Sequence, residues 1–174
     1  AYLAPKPVQQ PWPRLYAGGE SGAAKELIAR TCDAYLMHGD DLATVSQKIA
    51  DMRERGARFE KNLMYGMAAY VICRDTEEEA QAELERITML KESAGYAGFK
   101  DFTTMSQLER ELTLRDYSVS NRGLRPNFVG TPAQIAERMQ AYTDAGVDLF
   151  LIQCSPMHTE LERIGTQVLP LLQK

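Results

Sequence analysis

The residues best suited to chemistry form one turn, Gly18-Gly19-Glu20-Ser21-Gly22. An apolar strand over residues 14–17 enters it, and a helix with Ala24, Leu27 and Ile28 on one face leaves it. The turn therefore joins the C-terminal end of a strand to a helix N-terminus, where free N–H groups, the helix dipole and the Ser21 hydroxyl suit a phosphate. Glycines at 18, 19 and 22 would let such an anion approach the backbone closely. The same residues are equally explained as a tight strand-to-helix turn with a serine cap, and on the residues alone both readings stand. Glu20 is awkward beside a dianion; its N–H is expected to contribute while its carboxylate turns away or pairs with a base. His38, at the end of the next strand, is a second polar candidate, although a partly buried histidine satisfied near Asp40 or Asp41 accounts for it as well. Arg122 and Arg125 flank Gly123 and need no more explanation than a surface charge pair; Tyr70 reads as an ordinary strand aromatic.

The rest of the sequence excludes more than it adds. Three cysteines, Cys32, Cys73 and Cys154, are odd in number, far apart and set in or beside apolar stretches, so buried thiols fit better than disulfides. Neither they nor the two isolated histidines have metal-ligand spacing, and no residue stands out as an obligate nucleophile. A formal charge of −4 disfavours nucleic acid as a partner. No run of about 18 apolar residues suggests a membrane span, and the proline-rich start, with Pro5, Pro7, Pro11 and Pro13, lacks a secretory pattern. The expectation is a cytoplasmic protein with small-molecule ligands.

Four strand-and-helix units position these groups. Strands are expected at residues 14–17, 33–37, 65–72 and 148–153, the last nearly all apolar as a parallel strand covered on both faces should be. Helices follow each, with the apolar stripe Leu42, Val45, Ile49 and Met52 in the second and capping boxes at Thr76 to Glu79 and Thr131 to Gln134. A last amphipathic helix is expected from Met157 to Leu172. Residues 91–129 lose periodicity and read as an insertion of short helices and loop. Repeated strand-helix units mean an α/β fold with a parallel sheet and right-handed crossovers. A closed (β/α)₈ barrel needs eight units and about 250 residues; the 174 residues here make one partial domain with half that number. A small open doubly wound sheet satisfies the pattern too.

Five stretches, taken in order, resemble the C-terminal half of the luciferase-like flavin monooxygenases. They are Gly-Gly-Glu-Ser-Gly at 18–22, Ala-Tyr-Leu-Met-His-Gly-Asp at 34–40, Val-Ile-Cys-Arg-Asp-Thr-Glu-Glu-Glu-Ala at 71–80, Val-Gly-Thr-Pro-Ala-Gln-Ile-Ala at 129–136, and Ala-Gly-Val-Asp-Leu-Phe-Leu-Ile at 145–152. Within that family the chain is similar to the FMNH₂-dependent dimethyl sulfone monooxygenases, on Asp-Tyr-Ser-Val-Ser-Asn-Arg-Gly-Leu-Arg at 116–125 and Gln-Cys-Ser-Pro at 153–156.

The resemblance implies a TIM barrel whose first four units lie outside this chain, and FMN as cofactor with its phosphate at Gly19, Glu20, Ser21 and Gly22, and His38 nearby. A separate NAD(P)H:flavin reductase would supply FMNH₂, and O₂ and a small organosulfur compound would be the other reactants. In that scheme dimethyl sulfone gives methanesulfinate and formaldehyde. The resemblance also implies that Arg122, and with it Arg125, belongs to a lid hinged at Gly123 that excludes water from the flavin. In the alkanesulfonate enzymes the third strand carries an arginine and a histidine where this chain has Ala68 and Tyr70. Ser155 replaces a tyrosine in the same way. Those departures imply a neutral substrate, with Tyr70 as a hydrogen-bond donor. Other luciferase-like activities remain open, on alkanesulfonates, pyrimidines or through deazaflavin F420. So does a non-catalytic half barrel or truncated product, whose exposed edges would favour a homo-oligomer.

Overall fold

The computed structural model describes residues 4–89, 113–119 and 123–172, with Gly98, Asp101 and Thr104 between them. The expected insertion at 91–129 therefore lies largely outside the described residues. Elsewhere strand and helix alternate: β1 (Tyr16–Gly18), α1 (Gly22–Thr31), β2 (Ala34–Met37), α2 (Leu42–Ala57), β3 (Met64–Cys73) and α3 (Glu77–Thr88). After the insertion's short α4 (Leu114–Ser118) come β4 (Phe128–Gly130), α5 (Pro132–Asp144), β5 (Leu149–Gln153) and α6 (Met157–Arg163).

The first four strands hand over to their helices through a side-chain cap, whereas α6 starts after Pro156 without one. Ser21 Oγ accepts from Ala24 N at 3.2 Å, and Asp41 Oδ1 accepts from Thr44 N at 2.9 Å. Thr76 with Glu79 and Thr131 with Gln134 form reciprocal capping boxes. Since every handover follows the C-terminal end of a parallel strand, the polar turns collect at one end of the sheet, where α/β folds place their sites.

All pairings are parallel, in the order β1-β2-β3-β4, with β5 also on β3. Alternation decides which face is core. Tyr35, Met37, Tyr65, Met67, Ala69 and Val71 are buried against α1, α2 and α5, where Val45, Ile49, Met52, Ile135 and Met139 complete the layer. Leu36, Gly66 and Leu149 lie in one register row on the opposite, concave face, with Ala68 and Leu151 in the next. A smaller cluster joins the far end of β3 (Ile72) to β4 (Val129), α3 (Ala80, Leu84) and the insertion (Val119, Leu124).

Three differences from the sequence reading have physical causes. First, Phe128–Gly130 makes a fifth strand inside the expected insertion; three residues are too few to show a period. Phe128 is fully buried there, edge-on to Tyr142 and Phe150 with centroids 5.4 and 5.7 Å apart. Second, the last helix is not regular to Leu172: after Arg163 it opens into a π turn at Ile164–Val168 and a 3₁₀ turn at Leu169–Leu171. Pro170 has no N–H to continue an α-helical ladder. Third, β5, expected to be covered on both faces, pairs only with β3 among the described residues, and its Leu151 is 41% exposed.

Candidate functional site

Gly18, Gly19 and Glu20 from the first turn, Leu36, Met37 and His38 from β2, Ala68 from β3 and Leu151 from β5 line a concavity of about 380 Å³. It sits on the concave face at the C-terminal ends of the strands. The sequence had singled out Gly19, Glu20 and His38 separately; the sheet register brings them onto one wall. Ser21 and Gly22 follow directly and open α1.

The turn is held rigid from several sides. Buried Tyr35 donates its hydroxyl to Gly19 O at 3.2 Å. A β-carbon on Gly19 would lie 2.7 Å from the Ala24 β-carbon, so only glycine lets α1 close this tightly over the turn. Ser21 Oγ takes the Ala24 N–H and Ser21 O takes that of Lys25 at 3.0 Å. The earlier helical N–H groups, of Gly22 and Ala23, have no intrahelical acceptor by helix geometry. Around Gly22 a β-carbon would meet nothing within 4 Å, so there is room for a ligand oxygen beside these donors.

The Glu20 carboxylate is drawn toward α2, as its awkward position required. Its Oε1 lies 3.5 Å from Lys48 Nζ, and Lys48 Nζ lies 3.6 Å from Asp40 Oδ2. Asp40 Oδ2 is in turn 3.8 Å from Arg125 Nη1, and Arg125 forks onto Asp116 with Nε and Nη2 bonds of 3.0 and 2.9 Å. Charges alternate along this chain of five side chains, four of them at most 7% exposed and Arg125 19%. Tyr142 closes its lower side by donating to Asp40 O at 2.8 Å; burial, then Asp41 and Asp40, push its phenol up to about 12, so it stays a donor.

Arg125 is thus not a loose surface charge: it ties the insertion to the β2 loop. Burial raises the Asp116 carboxyl, but hydrogen bonds from Arg125 and from the backbone and hydroxyl of Thr113 outweigh it, leaving the group below the ordinary 3.8. A depressed carboxylate contributes stability that is complete above its unfolded value and lost as pH falls through the folded one. Asp116→Asn should therefore cost about 3 kcal/mol at pH 7, by leaving Arg125 without its fork. Urea unfolding should show that difference shrinking below pH 4; a pH-independent gap would contradict the assignment.

Tyr70 does not line the concavity that holds His38. Its N–H donates to Gly123 O at 2.7 Å, and its ring packs with Ile87 on the smaller cluster. Burial first, then Cys154, Glu83 and Glu160, raise its phenol, so it remains protonated. Cys154 and Cys73 are raised by burial as well, which keeps them thiols rather than nucleophilic thiolates. Arg122 lies outside the described residues. Lys48, Asp40 and Asp116 were not recognised as site-shaping charges from the sequence. The signal for Lys48 was present: it interrupts the buried stripe of Val45, Ile49 and Met52 on α2.

With this geometry in place, the family model described as luciferase-like monooxygenase matches residues 1–149. The chain belongs to the luciferase-like monooxygenase family. Among curated proteins it is similar to the FMNH₂-dependent dimethylsulfone monooxygenase of Pseudomonas putida. The two are 34% identical over 180 aligned residues, covering 99% of this chain and 50% of the relative. A second relative of that name, from Pseudomonas fluorescens (strain Pf0-1), is 33% identical over 99% of this chain and 49% of its own length. The chain spans about half the length of these curated relatives.

Solved structures agree on the fold. Long-chain alkane monooxygenase superposes with a TM-score of 0.70 at 20% identity, covering 91% of this chain and 40% of that one. DmoA from Hyphomicrobium sulfonivorans gives 0.69 at 19% identity, covering 94% and 42%. The five-stranded parallel sheet with its helices is accordingly half of a luciferase-like TIM barrel. Among the described residues, no helix is long and apolar enough to cross a membrane.

Proposed function

We propose that this chain forms the second half of an FMNH₂-dependent monooxygenase barrel, holding the flavin phosphate at residues 18–22 and one wall of the substrate pocket at His38, Ala68 and Leu151. The observation that carries this reading is the turn itself: an open helix N-terminus whose one carboxylate is engaged by Lys48. The donors fit a phosphate dianion, since Gly22 and Ala23 offer N–H groups and Ser21 a hydroxyl at the positive end of α1. The names of the relatives support FMNH₂ as the bound form and dimethyl sulfone as the substrate.

The pocket chemistry supports a neutral substrate. Beside Glu20 and His38, the lining consists of glycine, alanine, leucine and methionine, with Ala68 on the strand position where an arginine would mark a sulfonate site. A sulfone needs no counter-charge, only exclusion of water and a donor to a sulfonyl oxygen, and His38, which lines the same concavity, is the proposed donor. The outer edges of β1 and β5, unpaired among the described residues, and the 41%-exposed Leu151 on β5 suit strands of a first half barrel.

Bound reduced flavin supplies the two electrons that activate O₂. This chain's residues orient and shield it: the turn fixes one end of the cofactor, Leu36 and Leu151 keep the wall dry, and Arg125 docks the insertion over the strand ends. Dimethyl sulfone, O₂ and FMNH₂ then balance as methanesulfinic acid, formaldehyde, water and FMN. The complete protein, given FMNH₂ from a flavin reductase, should release one formaldehyde per dimethyl sulfone consumed and leave methanesulfonate untouched. Turnover of the sulfonate in preference to the sulfone would overturn the substrate assignment.

A further inference from the structure

Lys48 places its Nζ 3.5 Å from Glu20 Oε1, and both side chains are more than nine-tenths buried. It rises from the core face of α2, beside Val45 and Ile49, and has Asp40 on its other side at 3.6 Å. A buried ammonium between two carboxylates is costly to desolvate, and apolar residues would fill the same place more stably. The fold keeps it where a negative charge sits within the turn proposed to receive a dianion.

From this we infer that Lys48 is a positioning residue for the flavin phosphate: it cancels the Glu20 charge and holds that carboxylate toward α2, so that the Gly22 and Ala23 donors face the anion without opposition. The inference rests on reading residues 18–22 as the phosphate turn. Lys48 itself does not touch the ligand. Its effect is electrostatic, so it should act on ligands that carry the phosphate and not on those that lack it.

The test compares FMN with riboflavin, which is the same ring system without phosphate, by anaerobic fluorescence titration of the complete protein. Lys48→Met should weaken FMN binding about tenfold or more, with riboflavin unchanged. Lys48→Arg should keep wild-type affinity. Adding Glu20→Gln to Lys48→Met should bring FMN affinity back to within about threefold of wild type, which loss of a merely structural lysine would not do. Glu20→Gln alone, which leaves the lysine in place and so protects the test against misfolding of Lys48→Met, should bind FMN at least as tightly as wild type. The inference is overturned if Lys48→Met weakens FMN and riboflavin alike, if the double variant recovers nothing, or if Glu20→Gln weakens FMN selectively. Equal FMN and riboflavin affinity in the wild-type protein would instead sink the phosphate turn, and the Lys48 role with it.

Discussion

Gly19→Val combined with Ser21→Ala should lower FMN affinity of the complete protein about 100-fold while leaving riboflavin binding unchanged. The valine β-carbon would fall 2.7 Å from that of Ala24, a contact no β-carbon tolerates, so the first turn of α1 must move away from the strand end. Removing the Ser21 hydroxyl strands the Ala24 N–H and takes away one donor from the ligand side. The lost cap alone costs about 1 kcal/mol of stability. The larger effect is on binding: two charge-assisted hydrogen bonds at about 1.5 kcal/mol each make about 3 kcal/mol, or two orders of magnitude in affinity. Anaerobic titration with both flavins checks it. Unchanged FMN affinity would remove residues 18–22 from the phosphate site.

The second large effect is expected at Gly39, between His38 and Asp40. A β-carbon there would lie 2.5 Å from Ala68 O and 2.7 and 2.9 Å from Cγ and Cδ of Pro126. The β2 loop thus passes close to both the β3 backbone and the insertion. Gly39→Ala must displace one of them, and Pro126 is the softer, carrying Arg125 away from Asp40 and Asp116 with it. Overpacking of this kind costs about 3 kcal/mol, and, on the proposal that Arg125 docks the insertion over the strand ends, turnover of the complete protein should fall with it. Pro126→Gly in the same protein should restore only part of the stability, since the clash with the Ala68 carbonyl remains. Denaturant unfolding separates these outcomes; a Gly39→Ala protein as stable as wild type would show that the insertion does not dock here.

Much of the framework was legible because it is local. Capping residues at Thr76 and Thr131, and the stripe from Leu42 to Met52, marked α2, α3 and α5 close to their observed bounds. Ser21 was recognisable as the cap of α1 for the same reason. The site was legible only in pieces. Gly19 and His38 are 19 positions apart, and only the parallel register that sets Gly18 beside Leu36 makes them neighbours. Asp116 and Arg125 lie in a stretch without periodicity, so their forked pair and its link to Asp40 depend on tertiary docking that no local rule encodes. Lys48 could have been noticed as a charge on an apolar helix face, yet its partners come from two different turns. Tyr70 shows the reverse: alternation sets it two residues from Ala68, but its ring joins the cluster under α3 rather than the wall with His38.

The most direct test is the crystal structure of the complete protein with FMN bound. The phosphate should lie within hydrogen-bonding distance of the Gly22 and Ala23 amides and the Ser21 hydroxyl, with Glu20 still paired to Lys48 and residues from a first half barrel against β1 and β5. A flavin phosphate held anywhere else, or β1 and β5 left without neighbouring strands, would contradict the account.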